Sequence, residues 1–238
     1  MNVAVIFAGG TGQRMNTKTK PKQFLELHGK PILVYTIEHF QRHKEIDGII
    51  LVSLESWLDY CEELADKYRL TKVKAIVAGG STGQESIYNG LSKAAEIFGE
   101  ESTVLIHDGV RPLIDEATIT NVLECVRKNG NAITVSNAIE TITVKGENDR
   151  IEKMVDRSKC CMARAPQCFC LGEILEAHNK ARADGNKEFI DSASMMRYYG
   201  HELYTVEGAI ENIKITTPSD FYMFRAIVDA RENSQIFG

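Results

Sequence analysis

Val3-Ala4-Val5-Ile6-Phe7-Ala8-Gly9-Gly10-Thr11-Gly12-Gln13-Arg14-Met15, with Pro21-Lys22-Gln23 a few residues on, is an apolar run that breaks into a glycine-rich turn. Such a run, rich in β-branched residues and ended by glycines, is the usual entry to a phosphate-binding loop after a first buried strand. Glycine lets backbone approach a phosphate closely because no Cβ intervenes. Successive N–H groups in such a turn form an anion-binding concavity. Arg14 and Lys22 add a bidentate fork and a point charge. The stretch reads as a cradle for a triphosphate. A P-loop would close on Gly-Lys-Ser/Thr, whereas Gly12 is followed by Gln13 and Arg14. A dinucleotide fingerprint begun at Gly10 would need glycine where Met15 stands, and an acid further on than Glu26. A plain turn carrying two solvated cations explains less of so long a motif.

The chain of 238 residues is long enough for one α/β domain with a full core, or one domain with an appendage. Its 43% apolar and 26% charged residues are ordinary for a soluble globular protein. A net charge of −5 argues against general nucleic-acid binding. Local charge runs the other way: Arg14, Lys18, Lys20, Lys22 and Lys30 face only Glu26 in that stretch. One cation about 4 Å from a phosphate charge gains on the order of 4 kcal/mol at an effective dielectric near 20, so placement outweighs the global sign. No apolar run reaches membrane-spanning length and the start of the chain reads as a strand, so a cytoplasmic location is expected. The six cysteines (Cys61, Cys125, Cys160, Cys161, Cys168, Cys170) are too sparse for a disulfide framework. They form no C-x-x-C pair, so buried or partly exposed thiols are expected in place of a zinc site.

Outward from the glycine turn, strands and helices alternate. Helices are expected over Pro31 to Arg42, Gln84 to Phe98 and Glu116 to Lys128, each with an apolar stripe, and over Ser56 to Arg69. Strands are expected over Gly48 to Ser53, Val73 to Ala78, Thr103 to His107 and Ala132 to Ser136. This rhythm predicts an α/β fold, three layers (α/β/α) around a mostly parallel sheet, with ligands beyond the strands' carboxyl ends. The stretches Ala8 to Arg14, Gly79 to Ser86 and Asp108 to Pro112 each follow a strand and so share one rim. Residues Asn137 to Lys159 break the rhythm and read as a β-hairpin arm, a common dimerisation device. Beyond it lie a strand-like Ala165 to Phe169, helices over Leu171 to Ala183 and near Asp191 to Tyr199, and closing strands at Glu202 to Val206 and Asn212 to Thr216. Thr217-Pro218-Ser219-Asp220 caps the last helix. No repeat or low-complexity linker is visible, so residues 1–238 are expected to form one domain with residues 137–159 as its arm.

Other groups can carry chemistry on that rim. Gly79 and Gly80 permit close contact with a flat base, whose edge Ser86 could meet, although a plain turn reads equally well. Asp108 beside Gly109 and Arg111 at a strand end suits Mg²⁺ or a substrate hydroxyl, or else a structural Asp108–Arg111 ion pair. Asp156-Arg157 and Lys214 are further charges in apolar settings; Lys214 is a phosphate contact if it reaches the rim and a solvated strand face if not. No Ser-His-Asp set or cysteine with a general-base partner is readable. Cations, one acid and backbone amides suit phosphoryl or nucleotidyl transfer, where positioning and charge stabilisation supply most of the acceleration.

These motifs together resemble one family, the polyol-phosphate cytidylyltransferases that make CDP-methylerythritol or CDP-ribitol. The likeness runs nearly end to end, through Ala8 to Met15, Pro21 to Phe24, Gly79-Gly80 with Ser86, His107 to Pro112, Val155 to Arg157, Ala165 to Gln167 and Asn212 to Thr216. It implies a Rossmann-like nucleotidyltransferase sheet with Arg14, Lys22 and Lys214 as catalytic residues. It places CTP on Ala8, Gly9, Gly10, Thr11, Gly12, Gly79, Gly80 and Ser86. It places the polyol phosphate on Asp108, Arg111, Thr141 and Arg157, the last two reaching in from a dimer arm. The implied reaction is in-line attack on the α-phosphorus of CTP with Mg²⁺ assistance, Asp108 being the candidate metal ligand. Two positions depart from the family pattern: Gly83 where an arginine is usual, and Ala165 where a threonine is usual. The Ala8-Gly9-Gly10 and Gly109-Val110-Arg111 wording and the Arg14-to-Lys22 spacing resemble the ribitol branch more than the methylerythritol branch. A non-catalytic nucleotide sensor and a sugar-1-phosphate nucleotidyltransferase are the readings from other classes.

Overall fold

The computed structural model describes residues 1–10, 20–186 and 189–237, with side chains followed as far as residue 233. Thr11, Gly12 and Arg14 therefore lie outside the described residues. At the centre is β1 (Asn2–Ala8), whose Val3, Val5, Ala4 and Ile6 are all fully buried. Strand side chains alternate between faces. Ala4 and Ile6 accordingly enter one core with α1 (Ile32–Arg42), α2 (Leu58–Lys67) and α4 (Glu116–Asn129). Val3 and Val5 enter the other, with α3 (Gly83–Phe98), α5 (Leu171–Ala183) and α6 (Ser192–Tyr198). A strand covered on both faces has no polar positions, which is why the run reads as continuously apolar.

Around β1 the sheet has seven strands in the order β11 (Thr205–Glu207), β7 (Asn131–Asn137), β10 (Cys161–Cys170), β6 (Thr103–Asp108), β1, β4 (Gly48–Ser53), β5 (Val73–Ala78). β1 pairs in parallel with β4 and β6, β4 with β5, and β7 with β11; β10 alone runs antiparallel, between β6 and β7. The mostly parallel three-layer sheet is as expected. Its parallel strands bring Ala8, Ala78, Asp108 and Asn137 to one rim. α3 can lie close to the sheet because Gly90 has no side chain; a Cβ there would stand 2.6 Å from Val5 Cγ1 and 2.7 Å from Val52 Cγ2.

Three expectations need correction. Asn212 to Thr216 is not a strand: among the described residues one backbone–backbone bond, Ile215 N–H to Val110 C=O at 2.9 Å, ties it to the loop after β6, and no sheet ladder forms. Its alternation serves packing, since Ile215 is buried with Leu113, Ile32 and Phe224 under α7 (Pro218–Phe237). The late strand over Glu202 to Val206 shortens to β11. The strand expected over Ala165 to Phe169 instead runs from Cys161 to Cys170, because pairing with β7 continues past the apolar part, across a bulge between Ala163 and Gln167. A small antiparallel pair, β2 (Glu26–Leu27) with β3 (Lys30–Pro31), had no expectation attached.

The arm is an antiparallel hairpin of β8 (Ile142–Lys145) and β9 (Ile151–Val155), which among the described residues pair only with each other. Ile139, Val144, Ile151, Met154 and, on β10, Met162 stand exposed along it. The last helix opens on the expected cap: the Asp220 carboxylate accepts from Thr217 N–H at 2.7 Å and Thr216 N–H at 2.8 Å, and Thr217 Oγ1 accepts from Asp220 N–H at 3.4 Å.

Candidate active site

On the rim, a cleft of about 470 Å³ opens between the ends of β1 and β6, the start of α3 and the start of α6. Asp108, the last residue of β6, is buried within it and is the electrostatic centre of the site. Its Oδ2 accepts from Arg111 Nε at 2.8 Å and its Oδ1 faces Lys214 Nζ at 2.5 Å. Burial alone would raise this carboxyl, but the charges of Lys214 and Arg111 and their hydrogen bonds outweigh it and hold it at about 2. Next to it, fully buried His107 is driven down to about 3 by burial, with Asp108 opposing too weakly to restore its charge. A neutral His107 sits behind the site, with Nε2 3.3 Å from the Arg111 carbonyl.

Lys214 reaches Asp108 from the non-strand segment, which is fastened at its head by Asn212. The Asn212 side chain donates to Ala165 C=O at 2.9 Å, and its carbonyl accepts from Arg111 Nη1 at 2.8 Å and Arg164 Nη1 at 3.0 Å. Two guanidinium groups thus converge on one carbonyl oxygen. The choice left open for Lys214 resolves towards the rim, and the Asp108–Arg111 ion pair exists as part of a larger cluster.

The loops expected to take the nucleotide lie beside this cluster. Gln23 donates from Nε2 to Ala8 C=O at 2.5 Å, fixing where β1 ends. At Gly9 and Gly10 a Cβ would make only ordinary contact, 3.7 Å from Ser86 Oγ and 3.9 Å from Lys22 Cε respectively, so nothing in the described protein demands glycine there. Lys22 is buried, in the short turn Lys22–Phe24, and its charge is the smallest of the influences that lower Asp220 against burial, after the Thr217 and Thr216 hydrogen bonds. Gly79 and Ser86 meet closely; a Cβ on Gly79 would lie 2.8 Å from Ser86 Oγ. That hydroxyl accepts from Gly80 N–H at 3.0 Å and donates to Thr82 C=O at 2.9 Å, so it first of all shapes its own loop. Thr82 caps α3 by accepting from Glu85 N–H. Gly83 lines the cleft with open space at its Cβ position.

Thr141 and Arg157 are elsewhere. Both are exposed on the arm and neither lines the cleft of its own chain; Arg157 Nη1 donates to Ile139 C=O at 2.8 Å. As a metal ligand Asp108 fits poorly as found, because each of its oxygens already faces a cation. Mg²⁺ usually keeps several waters and binds through one or two carboxylates together with substrate phosphates. The donor set therefore suits an ion brought by a triphosphate better than one the chain holds itself.

Sequence reading missed three contributors. Arg164 lines the cleft, its Nε donating to Ser136 Oγ at 2.6 Å. Gln167 joins β10 to α6, donating to Asp191 Oδ2 at 2.8 Å and accepting from Ala193 N–H at 2.9 Å. Asp191 in turn caps α6 through a reciprocal box with Ser194. The signal for Arg164 was present: a cation set in the apolar strand next to Ala165-Pro166-Gln167.

A mostly parallel sheet with a glycine turn after its first strand, and cations gathered on the same rim with no nucleophile–base pair among the described residues, fits the nucleotidyltransferase class. Residues 2–230 match the family model for IspD, 2-C-methyl-D-erythritol 4-phosphate cytidylyltransferase, and the chain belongs to that family. A ribitol-5-phosphate cytidylyltransferase from Streptococcus agalactiae is 52% identical over 238 residues, covering 100% of this chain and 99% of its own. A 2-C-methyl-D-erythritol 4-phosphate cytidylyltransferase from Clostridium acetobutylicum is 44% identical over 225 residues, covering 93% and 95%. The crystal structure of 4-diphosphocytidyl-2C-methyl-D-erythritol synthase from Anaerococcus prevotii superposes with a TM-score of 0.82 at 27% identity, covering 96% of each chain.

The buried charges make a prediction about acid. Folded His107 stays neutral down to about 3 while its unfolded counterpart takes a proton near 6.5, so the unfolded chain binds more protons between these values. Stability should fall as pH drops from about 6.5, by up to about 1.4 kcal/mol per pH unit for one such group. Asp108, held at about 2 against 3.8, adds a loss of the same sign at lower pH. Urea midpoints from pH 7 to 4 should decline, and less steeply in His107→Leu; equal slopes would contradict the assignment.

Proposed function

We propose that this chain transfers CMP from CTP to D-ribitol 5-phosphate, giving CDP-ribitol and pyrophosphate. The observation that carries the reading is the Asp108–Arg111–Lys214 cluster set beside the glycine loop, on the rim where an α/β sheet takes its ligands. Full-length likeness to a ribitol-5-phosphate enzyme at 52%, against 44% for a methylerythritol one, supports the choice of acceptor. The methylerythritol 4-phosphate reading is the second one, favoured by the matching family model.

In the proposed reaction an ionised oxygen of the acceptor phosphate attacks the α-phosphorus of CTP. The new P–O bond forms as the bridge to the β-phosphorus breaks, and its electron pair leaves with pyrophosphate. Ala8, Gly9, Gly10, Thr11 and Gly12 offer backbone amides to the triphosphate; Gly79, Gly80 and Ser86 hold the cytosine. Arg14, Lys22 and Lys214 stabilise charge spreading over the five-coordinate phosphorus more than they stabilise the ground state. Asp108 and Arg111 hold the acceptor. Mg²⁺ arriving on the triphosphate supplies further neutralisation of phosphate charge.

We further propose that residues 1–238 work as one unit in the cytoplasm and as a homodimer. The exposed apolar residues of the arm would then be covered by a second copy, bringing Thr141 and Arg157 to that copy's cleft. Among the described residues no helix is long and apolar enough to cross a membrane. Deleting residues 141–155 should leave monomers in sedimentation equilibrium; a dimer that survives the deletion contradicts the arm's role.

Pyrophosphate release with CTP and each acceptor tests the activity. Release is expected to be fastest with ribitol 5-phosphate, and Lys22→Ala should cut turnover by roughly 10², a barrier change of about 2.7 kcal/mol. Equal rates on both acceptors would remove the preference, and an unchanged rate in the variant would remove Lys22 from the machinery.

A further inference from the structure

Arg164 owes its place to two features of β10. Because the strand runs antiparallel to its neighbours, its beginning lies on the ligand rim; the bulge between Ala163 and Gln167 then turns Arg164 towards Ser136 and the cleft. Bulges commonly re-aim a side chain beside an active site. There the guanidinium has neutral acceptors only, Ser136 Oγ and the Asn212 carbonyl, and among the described residues no carboxylate lies within ion-pair reach of it. It shares the carbonyl with Arg111, so two positive groups sit side by side while Asp108 is already engaged by Arg111 and Lys214. Two of its five N–H donors are used in these contacts, leaving others for the cleft.

A half-buried cation pressed against another cation is poorly placed unless an anion completes the arrangement. Burial and the neighbouring Arg111 both disfavour its charge, which fits that reading. We propose that Arg164 is a second acceptor-binding guanidinium, which with Arg111 takes the phosphomonoester of the acceptor. This rests on the transferase reading above and adds a residue to it. Ala165 next to it offers only a buried methyl group, and Gln167 is engaged with Asp191 and Ala193, so Arg164 is the charged group that this part of β10 brings to the cleft.

The bland competitor is a staple: Arg164 ties β7 to the segment carrying Lys214 and never meets substrate. Steady-state kinetics with both substrates varied, and calorimetric titration with inorganic phosphate, separate the two. Charge-assisted hydrogen bonds of this kind predict that Arg164→Ala raises the acceptor KM by about tenfold to a hundredfold, leaves the CTP KM within about threefold, and weakens phosphate binding in parallel. Arg164→Lys, which keeps the charge and fills most of the volume, should recover part of both losses and carries the test if the alanine variant does not fold. Ser136→Ala, which loosens the staple and spares the guanidinium, should behave like the unsubstituted enzyme. An unmoved acceptor KM, KM values for both substrates rising together, undiminished phosphate binding, or a Ser136→Ala variant that reproduces the Arg164 loss would each overturn the proposal. An unsubstituted enzyme inactive on every polyol phosphate would instead sink the transferase reading, while the phosphate titration still decides Arg164.

Discussion

Each oxygen of the Asp108 carboxylate faces a different cation, Arg111 from three residues along the chain and Lys214 from a segment more than a hundred residues away. Removing one partner of a buried ion pair typically costs about 3–5 kcal/mol, because the remaining charge is left uncompensated. The pairing with Lys214 joins the end of β6 to a stretch that no sheet ladder holds, and so places that ammonium group on the rim. Asn212 steadies the same stretch through both its side chain and its carbonyl. The site is a set of cations arranged around one acid, and its geometry follows from where the acid is fixed.

That arrangement suits a reaction in which charge is moved between phosphates. A fixed, partly buried set of positive groups costs little reorganisation when negative charge shifts among phosphate oxygens. Neutral His107 behind Asp108 keeps a further positive charge out of the cluster. No close contact among the described residues requires glycine at positions 9 and 10, whereas Gly79 is glycine for a protein reason, to admit Ser86.

Much of this was legible in the residues. The β1 run declared a strand buried on both faces, and the regular spacing of apolar runs located four further strands, β4, β5, β6 and β7, that run parallel to it. The cap Thr217 to Asp220 was readable because capping is local in sequence. What was not legible depended on contacts between distant segments. Ile213 and Ile215 alternate like a strand, yet Ile215 is buried under α7 and the segment makes no ladder. Arg164 escaped notice because a search at strand ends assumes parallel strands, and in antiparallel β10 the rim lies at the beginning. Lys214 and Asp108 could be named separately, but nothing local showed that they meet.

The most direct test of the claim that Asp108 acts by placing Lys214 is a double-mutant cycle in kcat/KM with Asp108→Asn, Lys214→Ala and the pair combined. If the carboxylate holds the ammonium group in place, the double variant should be at least about tenfold more active than the product of the two single losses predicts, a coupling near 1.4 kcal/mol. Losses that simply multiply would show that the two residues act independently, contradicting the account.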